Sequence, residues 1–260
     1  MLSLEEIRKF YPKELEGFER FMLREYLQYK LLEIIFESAY AEKLCFLGGT
    51  CLRIVHGNLR FSEDLDFDNF NLSSDDFDAL SIDIKTKLQY LGYEVEIKNV
   101  KRGAYHCYIR IPELLYKEGL SQFKEEKILI QLDTEPQNFN YEIDQPIINK
   151  FDVFTQINSC PLDLLLAQKF FAVLNRKRNK GRDFFDIVYL LGKGIKPNYA
   201  YLTQKIGIQS PEELKQSILE KCNKLNMKEM AVDVHPFLFN TNDDKKIKLF
   251  PKYLEQVKLG

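Results

Sequence analysis

The order of apolar and polar positions changes character along the chain. Between residues 2 and 42, Leu23, Leu27, Leu31, Ile34 and Ile35 recur at helical spacing among charged residues, with no proline after Pro12, and predict an amphipathic helical cap. LCFLGG at 44–49 is a short apolar run ending in paired glycines, and TCLRIVHG after it suits a short helix closed by Gly57. A strand, a turn and a helix are expected there. Asp64 to Phe70 (DLDFDNF) alternates acidic and apolar side chains, the period of two of a strand with one polar face. Residues 75–91 predict a helix opened by Ser73 or Ser74, with Asp75 and Asp76 in its first turn. YEVEIKNV (93–100), AYHCYIRI (104–111) and KILIQLDT (127–134) predict three more strands, followed by a loop region with Pro136 and Pro146. From Pro161 onward the pattern turns helical, over 161–176, 183–192, 198–206, 211–225 and 244–258, with Gly, Pro and Asn between and no strand.

Charge changes where the period does. Residues 1–154 hold 19 Lys and Arg against 28 Asp and Glu, a net of −9, whereas residues 155–260 hold 18 against 11, a net of +7. The near-neutral total of −2 excludes a polycationic tail protein, and the opposite signs suggest an anionic ligand or nucleic acid engaged by one half, or two domains that attract each other. Two domains follow, 1–154 and 155–260, in an α+β fold: a mixed-sheet domain with N-terminal helices, then an all-helical one. With 45% hydrophobic residues, the 260-residue chain can bury a real core. The start MLSLEEIRKF lacks the charged-then-apolar order of a signal peptide, and Asp163, Gln168 and Lys169 interrupt the longest apolar stretch, so the expected location is the cytoplasm. Five scattered cysteines with no CxxC pair suit reduced, mostly buried thiols.

Asp64 and Asp66 lie two apart on a strand, so their carboxylates leave one face roughly 6.5–7 Å apart. A divalent cation fits between them, and hard cations such as Mg²⁺ or Mn²⁺ bridge carboxylates to substrate phosphates. Upstream, Gly48, Gly49 and Thr50 pass from an apolar strand into a helix, a turn whose N–H groups can approach phosphates. A third carboxylate completing a two-metal site is Asp133, near the end of the apolar strand ILIQLD, with Glu135 as fallback; Asp68 shares the parity of the pair. The segment DLDFDNFNLSSD departs from a calcium loop, with Asn69 where glycine and Asp75 where glutamate belong. Lys169 has Leu165, Leu166, Ala172 and Val173 as helical neighbours, so its ammonium either snorkels out or meets an anion such as a nucleoside triphosphate. Five basic residues fall between Arg176 and Arg182, of which Lys177, Arg178 and Lys180 are free to meet a phosphate backbone. Asp183 can cap the next helix, and Arg182 and Asp186 can pair along it. The histidines have no metal-ligand spacing, and the Ser62 hydroxyl, two residues before Asp64, can touch a phosphate.

FLGGTCLR, RFSEDLDF, PLDLLLAQKFFAVLNR and RDFFD, in this order across residues 46–186, resemble the AbiEii/AbiGii nucleotidyltransferase toxins of the polymerase-beta-like superfamily. The resemblance implies a nucleotidyltransferase-like fold and a toxin of a type IV toxin–antitoxin, abortive-infection system. Such an enzyme moves a nucleotide from an NTP, GTP or another, to an acceptor hydroxyl, in some relatives the tRNA end, and is blocked by a partner antitoxin. Carried over, the resemblance implies that Gly48, Gly49 and Thr50 hold the phosphates, Lys169 the triphosphate and Asp64 and Asp66 the metal, with Asp186 as the last motif's acid; Arg53, Ser62 and Arg182 are expected beside them on the nucleotide, and Asp133 beside them on the metal. Transfer to a small molecule such as an aminoglycoside, and a non-catalytic NTP-binding module, are the alternatives. The active site is expected in the cleft between the domains.

Overall fold

The computed structural model describes residues 2–260. The chain forms two compact units, one comprising residues up to His56 with Phe61–Ser159, the other Gly57–Arg60 with Cys160–Gly260. The second unit therefore begins with a four-residue segment borrowed from the middle of the first.

The first unit opens with α1 (Leu4–Arg8), started by a Ser3–Glu6 capping box, and α2 (Glu19–Phe36). Then come β1 (Leu44–Leu47), α3 (Gly48–Ile54), β2 (Leu65–Asn69), α4 (Ser74–Tyr90), β3 (Glu96–Arg102), β4 (Ala104–Ile111), α5 (Leu114–Lys117) and β5 (Ile128–Glu135). The five strands form one sheet in the order β1-β2-β5-β4-β3, with β2 and β5 parallel and every other pairing antiparallel. Alternation decides its two faces. Leu65 and Phe67 of β2, Cys107, Ile109 and Ile111 of β4, and Ile128, Ile130 and Leu132 of β5 are buried, and pair in register. Helix α2 packs beside β5, and α4 against β3 and β4. The opposite parity carries Asp66, His106, Gln131 and Asp133, all part-exposed, as expected of a sheet with one face packed.

Helix α2 is not the amphipathic cap its spacing predicts. Its leucines and isoleucines are buried, but so are Glu25, Gln28 and Lys30, because α1, α4 and a hairpin surround it. That hairpin, β6 (Ile147–Lys150) and β7 (Val153–Gln156), falls where a loop is expected; its four-residue strands are too short to show a period. Ser73 caps α4 in a box with Asp76, as its sequence suggests.

The second unit contains α6 (Leu162–Asn175), α7 (Gly181–Gly192), α8 (Tyr199–Ile206), α9 (Pro211–Asn223), α10 (Met227–Val234), α11 (Lys245–Lys248) and α12 (Phe250–Gln256). Helix α10 is unexpected, and the single helix expected over 244–258 is divided at Leu249, one residue before α12 opens with Pro251 in its first turn. Gly181 shows why α7 and α10 approach so closely: a Cβ there would strike the Met230 carbonyl, and its N–H donates to Asp233 at 2.9 Å. Asp233 thus caps α7, and Asp183, expected as the cap, is inside the first turn. All five cysteines are free and buried. Among the described residues no helix is long and apolar enough to cross a membrane.

Candidate functional site

Pairing of β1 with β2 sets Leu47 opposite Asp66, so the chain leaves β1 level with the acidic strand and turns at once into α3. Gly48 makes that turn with φ +82°, a conformation that disfavours any side chain, and a Cβ there would collide with the Asp66 carboxylate. The paired glycines thus bring a helix start directly against an aspartate, where the first N–H groups of the helix have no partner within it. Thr50 is fully buried and its hydroxyl donates to the Asp64 carbonyl, so it ties the turn to the acidic strand and has only its backbone N–H to offer an anion. Asp64 immediately precedes β2 and, like Asp66, is half-buried.

Parallel pairing of β2 with β5 sets Asp66 beside Asp133, and Asp68 beside Glu135. Of the two acids considered for the third position, Asp133 is the one level with Asp66. Asp68 is buried, with its oxygens accepting the Gln137 N–H at 2.7 Å and the Tyr141 hydroxyl at 2.8 Å; it anchors the loop after β5. Asp133 has two attendants. Its Oδ1 lies 2.7 Å from His106 Nδ1, and Gln131 Nε2 donates to both its oxygens at 2.9 Å. His106 faces Asp133 across the β4–β5 register. In the sequence His106 has no second ligand at metal spacing; the signal that marks it is its parity within β4, opposite to buried Cys107 and Ile109. Among the described residues no three or more His, Cys, Asp or Glu side chains gather as a metal site. The carboxylate of Asp133 is held by His106 and Gln131.

Lys169 and Asp186 meet in the second unit. Lys169 does not snorkel: its Nζ lies 2.9 Å from Asp186 Oδ2 and 3.3 Å from Asp183 Oδ1. Asp186, fully buried, also accepts Asn58 Nδ2 at 2.8 Å, Arg60 Nε at 2.7 Å and Arg60 Nη2 at 2.6 Å. The borrowed segment 57–60 is thereby pinned to α7, and a bridge from Arg60 to Leu238 secures its other side. Burial alone would raise the pKa of Asp186, but Arg60 and Lys169 outweigh it and hold the carboxyl at about 2. For Lys169 burial acts downward, and Asp186 and Asp183 reverse it, so its pKa is raised. The partner expected for Asp186, Arg182, instead sets its guanidinium over the Phe237 ring at 4.3 Å. Arg176 reaches Asp183 at 3.3 Å, while Lys177, Arg178 and Lys180 are exposed.

Arg53, expected on the nucleotide, is engaged with buried Glu25 through Nε at 2.7 Å and Nη2 at 3.1 Å. Lys150 and Tyr11 reach the same carboxylate at 2.7 and 2.9 Å. Burial raises the pKa of Glu25 and Arg53 and Lys150 overcome it, for a net lowering. The backbone carbonyl of Ser62 accepts from Gln28 at 3.1 Å. The structure thus brings Gly48, Thr50, Asp64, Asp66 and Asp133 together in one unit, and Lys169 and Asp186 in the other.

Residues 30–244 match the family model described as nucleotidyl transferase AbiEii toxin, type IV toxin–antitoxin system. No curated protein matches the chain. Among solved structures it is similar to JHP933 from Helicobacter pylori, at 16% identity over 92% of this chain and 94% of that one, with a TM-score of 0.52. A further H. pylori protein, described as a candidate nucleotidyltransferase, aligns at 15% identity over 95% of this chain and 98% of its own, with a TM-score of 0.49. At such identity JHP933 shares the fold, whereas the family match runs from within α2 nearly to the end of the second unit. The chain belongs to the AbiEii nucleotidyltransferase toxin family of type IV toxin–antitoxin systems, and is a nucleotidyltransferase.

Proposed function

We propose that the protein transfers a nucleotide from an NTP, GTP or another, to an acceptor hydroxyl, with Asp64, Asp66 and Asp133 at the reacting centre and RNA, such as a tRNA end, as acceptor. One observation carries the reading: Asp66 has the Gly48 turn on one side and Asp133, level with it on a parallel strand, on the other. An anion cradle and two carboxylates then flank one point.

The donor set fits a hard divalent cation. Mg²⁺ is commonly held by one or two carboxylates together with water and substrate phosphates, so Asp64 and Asp66 suffice without a third protein ligand. Asp64 and Asp66 would hold a Mg²⁺ or Mn²⁺ ion, which would supply positive charge to the phosphate oxygens. The backbone N–H groups of Gly48, Gly49 and Thr50 take the triphosphate. Asp133 accepts the proton of the acceptor hydroxyl, whose oxygen bonds to the α-phosphorus as pyrophosphate leaves. His106 and Gln131 keep the Asp133 carboxylate turned to that task. Lys169 and Asp186, bonded to each other, hold α6, α7 and the 57–60 segment in register, and Arg182 adds positive charge near the exposed basic run. A toxin of this kind acts in the cytoplasm under the control of a cognate antitoxin, with phage defence by abortive infection as the setting.

The test is transfer of label from each α-³²P NTP, with Mg²⁺, to total RNA and to a panel of aminoglycosides, beside the Asp64→Ala/Asp66→Ala double variant. Labelled RNA that disappears in the variant is expected. Labelled aminoglycoside with unlabelled RNA would overturn the acceptor, and equal transfer by the variant would overturn the assignment of the aspartates.

A further inference from the structure

Beyond the acid pair, β2 and β5 both run toward a cavity of about 640 Å³ in the first unit, within the range of small-ligand sites. Its wall includes Asp68, one pleat repeat or roughly 7 Å along β2 from Asp66. The Gly48 turn follows Leu47, which pairs with Asp66, whereas the cavity is at the other end of β2, where Asn69 pairs with Leu44, so the two lie at opposite ends of the strand.

The lining sets its chemistry. Four rings, Phe70, Tyr105, Phe139 and Tyr141, face it, and among the described residues no Lys, Arg or His does. A phosphate therefore finds no counter-charge. Nor is the one carboxylate open to a cation, since Asp68 is held by the Gln137 N–H and the Tyr141 hydroxyl. Phe139 and Tyr141 stand two apart with rings inclined by only 18° and centroids 6.5 Å apart, and Phe70 lies 5.9 Å from Tyr141. Asn71 and Asn140 bring amides to the rim, each able to donate and accept at the edge of a flat heterocycle. Aromatic faces with amide edges and no net charge suit a nucleobase.

We propose that this cavity is a nucleobase subsite, which holds a base while the rest of its nucleotide extends along β2 to Asp66. The inference rests on the proposed chemistry at Asp66. Two sources supply the base, the donor NTP and the end of the acceptor RNA, and both present the same ring to the cavity.

The test uses 2-aminopurine, whose fluorescence is quenched on stacking, as the riboside triphosphate and as the 3′-terminal base of a short RNA. Proteins are the wild type, Phe139→Leu, Asn140→Ala and Asp66→Asn; Phe139 is only half-buried, and circular dichroism verifies each fold. Quenching of one probe by the wild type is expected, identifying the source. It should persist in Asp66→Asn and weaken roughly tenfold in Phe139→Leu, the effect of losing one base–aromatic stack. No quenching of either probe, equal binding by Phe139→Leu, or displacement of the probe by a neutral disaccharide would overturn the subsite. Label transfer without quenching removes the subsite alone, whereas quenching without any transfer removes the proposed reaction and leaves base binding standing.

Discussion

Replacing Asp186 by asparagine keeps its shape and removes its charge, which makes it a direct probe of the buried cluster. The native carboxylate receives four donors, from Asn58, twice from Arg60 and from Lys169, with no exposure to solvent. Arg60 and Lys169 outweigh its burial and hold its pKa at about 2, below the ordinary 3.8, so the folded state favours the charged form. The asparagine side chain resembles the protonated acid but also points an NH₂ at Arg60 or Lys169, and removing one partner of a buried ion pair typically costs about 3–5 kcal/mol. The expected loss is therefore about 3 kcal/mol, read as a lower urea midpoint by circular dichroism at pH 7. The sign in acid follows from the same shift. A carboxyl with a depressed folded pKa contributes stability above its unfolded value and loses it as pH falls toward the folded one, so this contribution fades from about pH 4.5 to 2. In Asp186→Asn that part of the acid slope is absent. A loss below about 1 kcal/mol, the worth of an exposed pair, would refute the account of the cluster.

Three further outcomes follow from geometry. Gly48→Ala forces a side chain into a left-handed turn and against Asp66, and should reduce label transfer at least tenfold, roughly 1.4 kcal/mol, with secondary structure unchanged by circular dichroism. His106→Ala leaves Asp133 to Gln131 alone; kcat should fall by about 10–100-fold with KM for the NTP nearly constant, whereas an equal rise in KM would contradict a positioning role. Gly181→Ala drives a methyl into the Met230 carbonyl, and should destabilise by about 2 kcal/mol in urea titration because backbone cannot easily yield.

How much of the molecule is legible before it folds differs between its parts. Strands β4 and β5 can be read from alternation, because every second residue of each faces the core, and β1 from its short apolar run, which is buried on both faces. The Gly48–Thr50 turn can be read too, since it is local and a tight turn needs glycine, whereas the expected strand from Asp64 begins only at Leu65, so the period of two that would set Asp64 and Asp66 on one face covers Asp66 alone. Helix α2 could not be read correctly, because Glu25, Gln28 and Lys30 are buried against partners far along the chain: Arg53 and Lys150 for Glu25, the Ser62 and Glu63 carbonyls for Gln28, and Asp152 for Lys30. The pairing of Asp186 is misjudged for a related reason: Arg182, one helical turn away, is the local choice, yet Arg60, 126 residues upstream, takes the position.

The order of residues is enough to give the local alphabet of this enzyme: which segments are strands, where the backbone can turn beside an aspartate, and which half carries acid and which base. It took the folded chain to make Asp133 level with Asp66, to bring His106 to its side, to set the lone lysine of α6 against two buried aspartates, and to assign residues 57–60 to the helical unit. Spacing within one element follows from its helical or pleated period, whereas register between strands and the partners of a buried charge follow from packing elements distant in sequence, where desolvation penalises every polar group left without a match.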